Sequence, residues 1–249
     1  MSTKSRLLEL LEQEKGSYLS GEMLAEKLQV SRTAVWKAVQ SLRQEGYEIQ
    51  AVTNKGYVLD KASDVLSAEA IRCGLEHPEV TVQVFREIPS TSLAMKQMAL
   101  EGGVPHGSVV AANEQTRGKG RKGRKFYSPK DSGLYLSVLL YPQKTVKESL
   151  ELTAEAAVAV CRAVVECCKI SLGIKWVNDL YLEEKKVCGI LTEAVTDFET
   201  GDIEFAVIGI GLNLKLPKGG FPEEIQEKAG AVLTEAKSVD RNRLAAAIV

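Results

Sequence analysis

Between Arg117 and Lys130 the chain carries seven cationic side chains, Arg117, Lys119, Arg121, Lys122, Arg124, Lys125 and Lys130, and no acidic one. Gly118, Gly120 and Gly123 alternate through the run, so it does not read as a helix with a solvated basic face. Glycine opens unusual backbone angles and lets main-chain N–H groups come close to a ligand. A loop with that freedom and that charge suits closure over an anion, a phosphate or a carboxylate. A basic linker or a nucleic-acid patch is the other reading of such a composition. The flanks favour the first, because residues 108–112 and 134–140 are apolar, strand-like runs that pin the loop between two core elements.

Four further groups of residues offer chemistry. Ser90, Thr91 and Ser92 follow Pro89 at a strand-to-helix junction, where hydroxyls and free N–H groups either bind a polar ligand or simply cap the helix. The run Lys175-Trp176-Val177-Asn178-Asp179 sets a cation, an amide and a carboxylate at a strand end. Such a set holds Mg²⁺ or orients an amine, or is no more than a surface Asn-Asp turn. Lys185 and Lys186 are adjacent in an otherwise apolar strand, and alternation sends one of them to the sheet's working side. Gly209 and Gly211 lie inside the strand-like run 209–214, a mark of close approach by a ligand or a neighbouring backbone. Nucleophilic and metal chemistry are poorly supplied. The chain has two histidines, and its five cysteines (Cys73, Cys161, Cys167, Cys168, Cys188) match no zinc spacing and read as buried, reduced thiols.

The elements that must position these groups fall into two domains, for which 249 residues with 45% hydrophobic content leave room. Net charge is −1, so a nucleic-acid partner must be met by a local patch. No apolar run approaches the roughly 20 residues that cross a bilayer, and the N-terminus leads into a Glu-rich amphipathic helix unlike a signal peptide. A cytoplasmic protein with no membrane partner is expected. In residues 1–64, helical periodicity runs from about 2 to 15, a short helix follows Ser20, and a third follows Ser31 with Val35, Val39 and Leu42 as its buried stripe. Arg32, Thr33, Trp36, Lys37, Gln40 and Arg43 occupy its opposite face, the layout of a helix-turn-helix that presents polar residues to a major groove. Alternating residues around Asn54-Lys55-Gly56 then predict a hairpin, so the whole is a winged helix with Lys55 at the wing tip, near a phosphate. The domain has nine basic and nine acidic residues, so DNA binding would rest on one face; a helical domain for protein contact is the other reading.

A short polar linker, residues 60–67, leads to a domain of residues 65–249 in which strands and helices mix. Strands are expected at 81–86, on both sides of the basic loop, and at 174–177, 180–182, 187–195 and 203–214; helices at 92–101 and 147–169. Short turns at 183–185 and 199–202 imply antiparallel neighbours. The fold class is α+β, a winged helix followed by a mixed sheet with helices on one side.

Taken in order, these segments resemble the biotin protein ligases, specifically the class with an N-terminal DNA-binding domain that also represses biotin synthesis genes. The resemblance spans nearly the whole chain. It rests on the winged helix with Ser31 to Lys37, on Ser90-Thr91-Ser92, on Gln115 with the loop from Gly118 to Arg124, on Lys175 to Leu180, on Lys186 to Leu191, and on Gly209 to Leu214. It implies two steps with Mg²⁺ present: biotin and ATP give biotinyl-5′-AMP and pyrophosphate, then a lysine of a carboxylase's carrier domain takes the biotin. It further implies that Ser90, Thr91, Ser92 and Gln115 hold the biotin rings, and that Gly118, Lys119, Gly120 and Arg121 close over the biotinyl-phosphate. Arg124 would meet the ATP phosphates, with Phe126 and Asn213 flanking the adenine. Lys186 would pair with the biotin carboxylate and α-phosphate, Asn178 would serve Mg²⁺, and Asp179 would orient the attacking lysine; Lys186, Arg121 and Asp179 form the catalytic set. Biotinyl-AMP would also act as corepressor, favouring a homodimer on a two-fold operator.

Three residues depart from the family pattern. Lys119 stands where Arg is usual and lacks its planar fork, which implies weaker retention of the adenylate. Val177 replaces Pro and restores φ freedom. Phe126 replaces Trp and stacks with a smaller surface. The family's C-terminal SH3-like domain is expected to be lacking, since the sequence reaches Val249 in a helix-like run from Asp240. The alternatives are a catalytically impaired ligand-sensing repressor and a lipoate or octanoate transferase of similar core.

Overall fold

A computed structural model describes residues 2–77, 79–142, 149–197, 199–234 and 238–249. They form two compact units, Met1–Pro78 with Asp240–Arg243, and Glu79–Val239 with Leu244–Val249.

In the first unit, α1 (Thr3–Gln13), α2 (Gly21–Leu28) and α3 (Arg32–Gln44) each begin behind a serine. Ser2, Ser20 and Ser31 accept a hydrogen bond from the N–H of the third residue on, at 3.1 Å each, satisfying one of the unpaired donors of the first turn. Leu7, Leu11, Leu24, Val35, Val39 and Leu42 bury the facing stripes in one core. Gln29 takes the left-handed conformation that turns α2 into α3. The hairpin β1 (Ile49–Val52) and β2 (Gly56–Leu59) pairs Ile49 with Leu59, with Asn54 at φ 64° in the turn. Three helices and a wing are therefore present as expected. α4 (Ala68–Cys73) follows.

The stretch 60–67 is packed rather than a free linker. Lys15 donates to Ser63 O at 2.8 Å, Asn242 Nδ2 to Val65 O at 3.0 Å, and Ser67 N–H to Asn242 Oδ1 at 2.9 Å. Arg241 holds Asp64 through Nε to Oδ2 at 2.9 Å and Nη2 to the main-chain O at 2.8 Å. Residues from the far end of the sequence supply these bonds, so no local pattern announced them. They open α7 (Arg241–Ile248).

The second unit is built on a seven-stranded sheet, in the order β3 (Val82–Phe85), β4 (Val109–Ala112), β5 (Gly133–Leu140), β9 (Ile203–Asn213), β8 (Lys185–Thr196), β7 (Asp179–Leu182), β6 (Gly173–Lys175). Only β3 and β4 are parallel, and the remaining pairs are antiparallel. Helices cover both faces, not one. Cross-strand pairing aligns Val110, Ser137, Gly209 and Leu191 on one face, where α5 (Thr91–Glu101) packs Met95 and Ala99 against Val110, Leu139 and Val207. Thr192 and Ile208 point the other way, and α6 (Ser149–Cys168) meets them there, with Thr153 Oγ1 2.7 Å from Thr192 Oγ1. The reason lies in composition: β5 and β9 are apolar at both parities, so each face needs a cover. The expected start of α6 at 147 lies outside the described residues. Among the described residues no helix is long and apolar enough to cross a membrane.

Candidate ligand and nucleic-acid sites

The basic loop is a short hairpin of its own. Phe126 N–H donates to Gly118 O at 2.9 Å and Gly120 N–H to Arg124 O at 2.7 Å, with Lys119 opposite Lys125. It closes through a 3-10 turn, Arg121–Gly123, in which Lys122 and Gly123 have φ of 57° and 72°. A side chain at 118 would run into the Phe126 carbonyl oxygen and come within 2.7 Å of Ser128 Oγ. The hairpin thereby turns the Phe126 ring onto the sheet, where Gly211 and Gly189, cross-strand neighbours, leave room for it; a Cβ at Gly211 would collide with the ring. Side chains come close over these strand glycines, since Ser92 Oγ sits likewise over Gly209. Lys119, Arg121, Lys122, Arg124 and Lys125 are exposed.

Opposite the loop, four polar groups form a chain. Arg121 Nη1 donates to Asn178 Oδ1 at 3.0 Å, Asn178 Nδ2 to Asp179 Oδ1 at 2.9 Å, and Lys186 Nζ to the same Asp179 Oδ1 at 2.6 Å. Asn178 is fixed from β8 as well, since Ile190 N–H donates to its main-chain O at 2.8 Å. Lys186 reaches Asp179 because β8 is bulged. Tyr181 pairs with Lys186 and Leu180 with Cys188, so Val187 is the extra residue. Counting back from Gly189 by strict alternation would bring Lys185 to this face; the bulge brings Lys186 instead. Lys185 donates to the main-chain O of Glu227.

A second chain lies at the start of α5. Thr91 N–H and Thr91 Oγ1 both donate to Gln115 Oε1, at 2.9 and 3.2 Å, and Gln115 Nε2 donates to Ser128 Oγ at 2.9 Å. Ser137 Oγ lies 2.8 Å from Thr91 Oγ1 and 3.0 Å from Ser92 Oγ. Ser90 caps α5. Both readings of the Ser-Thr-Ser run thus hold together: Ser90 is a cap, and Thr91 and Ser92 belong to a polar cluster. Ser128 and Ser137 were not singled out from sequence, yet Ser137 carries a usable signal, the single serine in the largely apolar strand Gly133–Leu140.

Two expected residues stand apart. Asn213 is only 8% exposed, and its Nδ2 donates to Gly230 O at 3.1 Å, so its amide serves the 228–233 segment. Arg124 contributes its main chain to the hairpin and leaves its side chain exposed. Of the cysteines only Cys188 is buried, and burial pushes its thiol far up, away from the reactive thiolate. Burial with nearby Glu9 pushes Cys73 up to about 11. Cys73, Cys167 and Cys168 close helices, where side chains stay partly open. Among the described residues no three His, Cys, Asp or Glu cluster as a metal site.

In the first unit, Arg32, Thr33, Trp36 and Lys37 are exposed along α3, Trp36 at 52%, and Gln40 is half-exposed beside them. Lys55 Nζ lies 5.5 Å from the centroid of the Tyr18 ring, an aromatic partner the sequence had not suggested.

Residues 3–58 match the profile described as HTH domain, and residues 84–213 that of the biotin/lipoate A/B protein ligase family. The bifunctional ligase/repressor BirA of Bacillus subtilis (strain 168) is 36% identical over 238 residues, covering 94% of this chain and 72% of that protein. The protein of the same name from Escherichia coli (strain K12) is 32% identical over 235 residues, covering 94% and 71%. Among solved structures, the biotin protein ligase from Aquifex aeolicus in complex with biotin and ATP aligns with a TM-score of 0.56 and 32% identity. That alignment covers 68% of this chain and 66% of the Aquifex chain, just under two thirds of it. The two profiles and relatives that cover 94% of the sequence agree with the sheet and the helix-turn-helix, and the chain belongs to the biotin/lipoate A/B protein ligase family.

Proposed function

We propose that this chain is an ATP-dependent biotin protein ligase that also represses transcription, with the DNA-binding module in residues 1–64 and the ligase module in residues 65–249. The observation that carries the reading is the juxtaposition of Lys186, Asp179, Asn178 and Arg121 beneath a hairpin of cations. In the first step a carboxylate oxygen of biotin attacks the α-phosphorus of ATP and pyrophosphate leaves, forming biotinyl-5′-AMP. Two anions must be brought together, so positioning and charge neutralisation dominate and no protein nucleophile is required. Lys186 neutralises the carboxylate and α-phosphate, Arg121 and Lys119 the phosphate from the loop side, and Arg124 the departing pyrophosphate. Phe126 flanks the adenine, and Asn213, with its amide tied to Gly230 O, supports the strand end beside it. In the second step a lysine amine of a carboxylase carrier domain attacks the acyl carbon and AMP leaves. Asp179, released from Lys186 by the incoming anion, orients that amine and accepts its proton.

The donor set near the phosphates is one amide oxygen, Asn178, and one carboxylate, Asp179. That falls short of an all-protein cage and suits an ion such as Mg²⁺ that arrives with phosphate oxygens and water. Asn178 would hold it, and the ion would add positive charge at the phosphates.

Arg32, Thr33, Trp36, Lys37 and Gln40 face the major groove, and Lys55 contacts a phosphate from the wing. A homodimer bound to biotinyl-AMP would read a two-fold operator. The test is incubation with labelled biotin, ATP and Mg²⁺, with and without a biotin carrier domain, followed by fluorescence anisotropy on candidate operator DNA. Labelled carrier and ligand-dependent DNA binding are expected. Adenylate without transfer would leave a ligand-sensing repressor, and no adenylate at all would sink the enzyme reading.

A further inference from the structure

Resting on the DNA-binding reading above, we infer that Tyr18 is a positioning residue that holds the Lys55 ammonium at the wing tip for a DNA phosphate. The wing gives Lys55 little backbone freedom. Its N–H donates to Val52 O at 3.1 Å, and Asn54 and Gly56 on either side of it have φ of 64° and 103°. What remains free is the long side chain, and its Nζ ends 5.5 Å from the centroid of the Tyr18 ring. Tyr18 is held in turn through its neighbour. Leu19 N–H donates to Tyr57 O at 2.8 Å, and Tyr57 N–H to Leu19 O at 2.9 Å, so the residues before α2 run beside β2 as a short third strand. Gly56 lets the two backbones lie together, since a Cβ there would collide with the Leu19 carbonyl.

The pair is arranged for an anion rather than for the fold. Tyr18 is 44% exposed and Lys55 is exposed, and neither belongs to the core that buries Leu19 and Leu59. Among the described residues no Asp or Glu forms an ion pair with Lys55, so its charge is not neutralised within the protein. An aromatic face attracts a cation without cancelling its charge, and leaves ammonium protons free to donate. A lysine already held over a ring loses less conformational freedom when it meets a phosphate. Its full charge remains to displace a counterion from the duplex. Tyr18 should therefore act on affinity alone, and Lys55 on both affinity and salt dependence.

The phosphate contribution does not depend on base sequence, so a labelled duplex of arbitrary sequence serves as the probe. Fluorescence anisotropy is recorded with the full chain, biotin, ATP and Mg²⁺ over a series of salt concentrations. Lys55→Gln is expected to weaken binding and to reduce the slope of log K against log salt by about 1 per wing. Tyr18→Leu should weaken binding about two- to fivefold at every salt concentration and leave the slope unchanged. Tyr18→Phe keeps the ring and should bind as the wild type does. The double variant, Tyr18→Leu with Lys55→Gln, should be no weaker than Lys55→Gln alone, because the ring then has no cation to hold. Three results would each overturn the positioning role: Tyr18→Leu binding like the wild type, Tyr18→Phe binding as weakly as Tyr18→Leu, or losses that add in the double variant. Full binding by Lys55→Gln would remove the wing contact itself. A wild type that binds no duplex would overturn the DNA-binding reading and this inference with it.

Discussion

Lys186 and Asp179 meet at 2.6 Å on one face of the sheet, joined across a bulge rather than along a regular ladder. Asp179 also accepts from Asn178, so one carboxylate oxygen gathers both donors. Such an arrangement keeps a lysine aimed while leaving it exchangeable, because an incoming anion needs only to replace Asp179.

Replacing Lys186 should therefore remove chemistry and spare the fold. Lys186→Ala is expected to slow adenylate formation, followed by pyrophosphate exchange into ATP, by about 10²–10³-fold. The ion pair is partly open to solvent and contributes on the order of 1 kcal/mol or less to stability. The melting temperature should stay within a few degrees. A loss of exchange that simply tracked unfolding would remove the residue from the catalytic set.

Gly118 and Gly120 make a matched pair for testing the hairpin. An alanine at 118 collides with the Phe126 carbonyl and Ser128 Oγ, whereas at 120 the closest atom, Arg124 O, lies at an ordinary 3.4 Å. Gly118→Ala should open the loop and weaken biotinyl-AMP binding by about tenfold or more, the scale of an overpacked contact worth about 1–3 kcal/mol. Gly120→Ala should weaken it about twofold at most. Dissociation of labelled adenylate, timed on both variants, decides between them, and equal rates would mean that the hairpin seen here does not govern retention.

Much of this was legible in the sequence, and the reasons for the exceptions are specific. Serine caps, the buried stripe of α3 and the cation-rich loop are local features, and local spacing revealed them. Lys186 was harder. Alternation narrowed the working lysine to one of two, but the choice depends on Val187 dropping out of register, which no neighbour in sequence signals. The helices on both faces of the sheet follow from β5 and β9 being apolar at both parities through most of their length, a pattern visible in Ile203–Asn213 yet read as one-sided. The bonds from Arg241 and Asn242 to residues 64–67 span about 175 residues of chain and leave no periodic trace.

Those bonds make the first unit depend on Arg241. Arg241 is 8% exposed, and burial raises the Asp64 carboxyl against the opposing pull of Arg241. Arg241→Ala would strip a charge partner from a largely desolvated carboxylate. The cost should be on the order of 2 kcal/mol, below that of a wholly buried pair because Asp64 keeps some solvent contact. Trp36 reports on this unit, so urea unfolding followed by its fluorescence in a Trp176→Phe background gives the measurement. An unchanged midpoint for the first transition would show the clamp to be incidental.

Tyr47 gives the first unit an alkaline limit. It is 6% exposed, and burial pushes its phenol up to about 12. The nearby charges of Glu69, Glu12 and Glu45 add to the rise, and a hydrogen bond with Ser67 opposes it. Unfolded, the group titrates near 10.0. Between those values the unfolded chain has released its proton and the folded chain has not, so stability falls as pH climbs. The contribution is whole below pH 10 and is lost between 10 and about 12, amounting at most to about 2.7 kcal/mol for two units. Lys15 adds a slope of the same sign: burial alone would lower its pKa, but its bond to Asp240 and the charge of Glu12 raise it. Tyr47→Phe keeps the ring in the core and deletes only the titration. Stability measured by urea unfolding at pH 8 and pH 11.5 should therefore drop less in Tyr47→Phe than in the wild type. Parallel losses in the two proteins would place the alkaline sensitivity elsewhere, with Lys15→Met as the next variant to separate the remaining term.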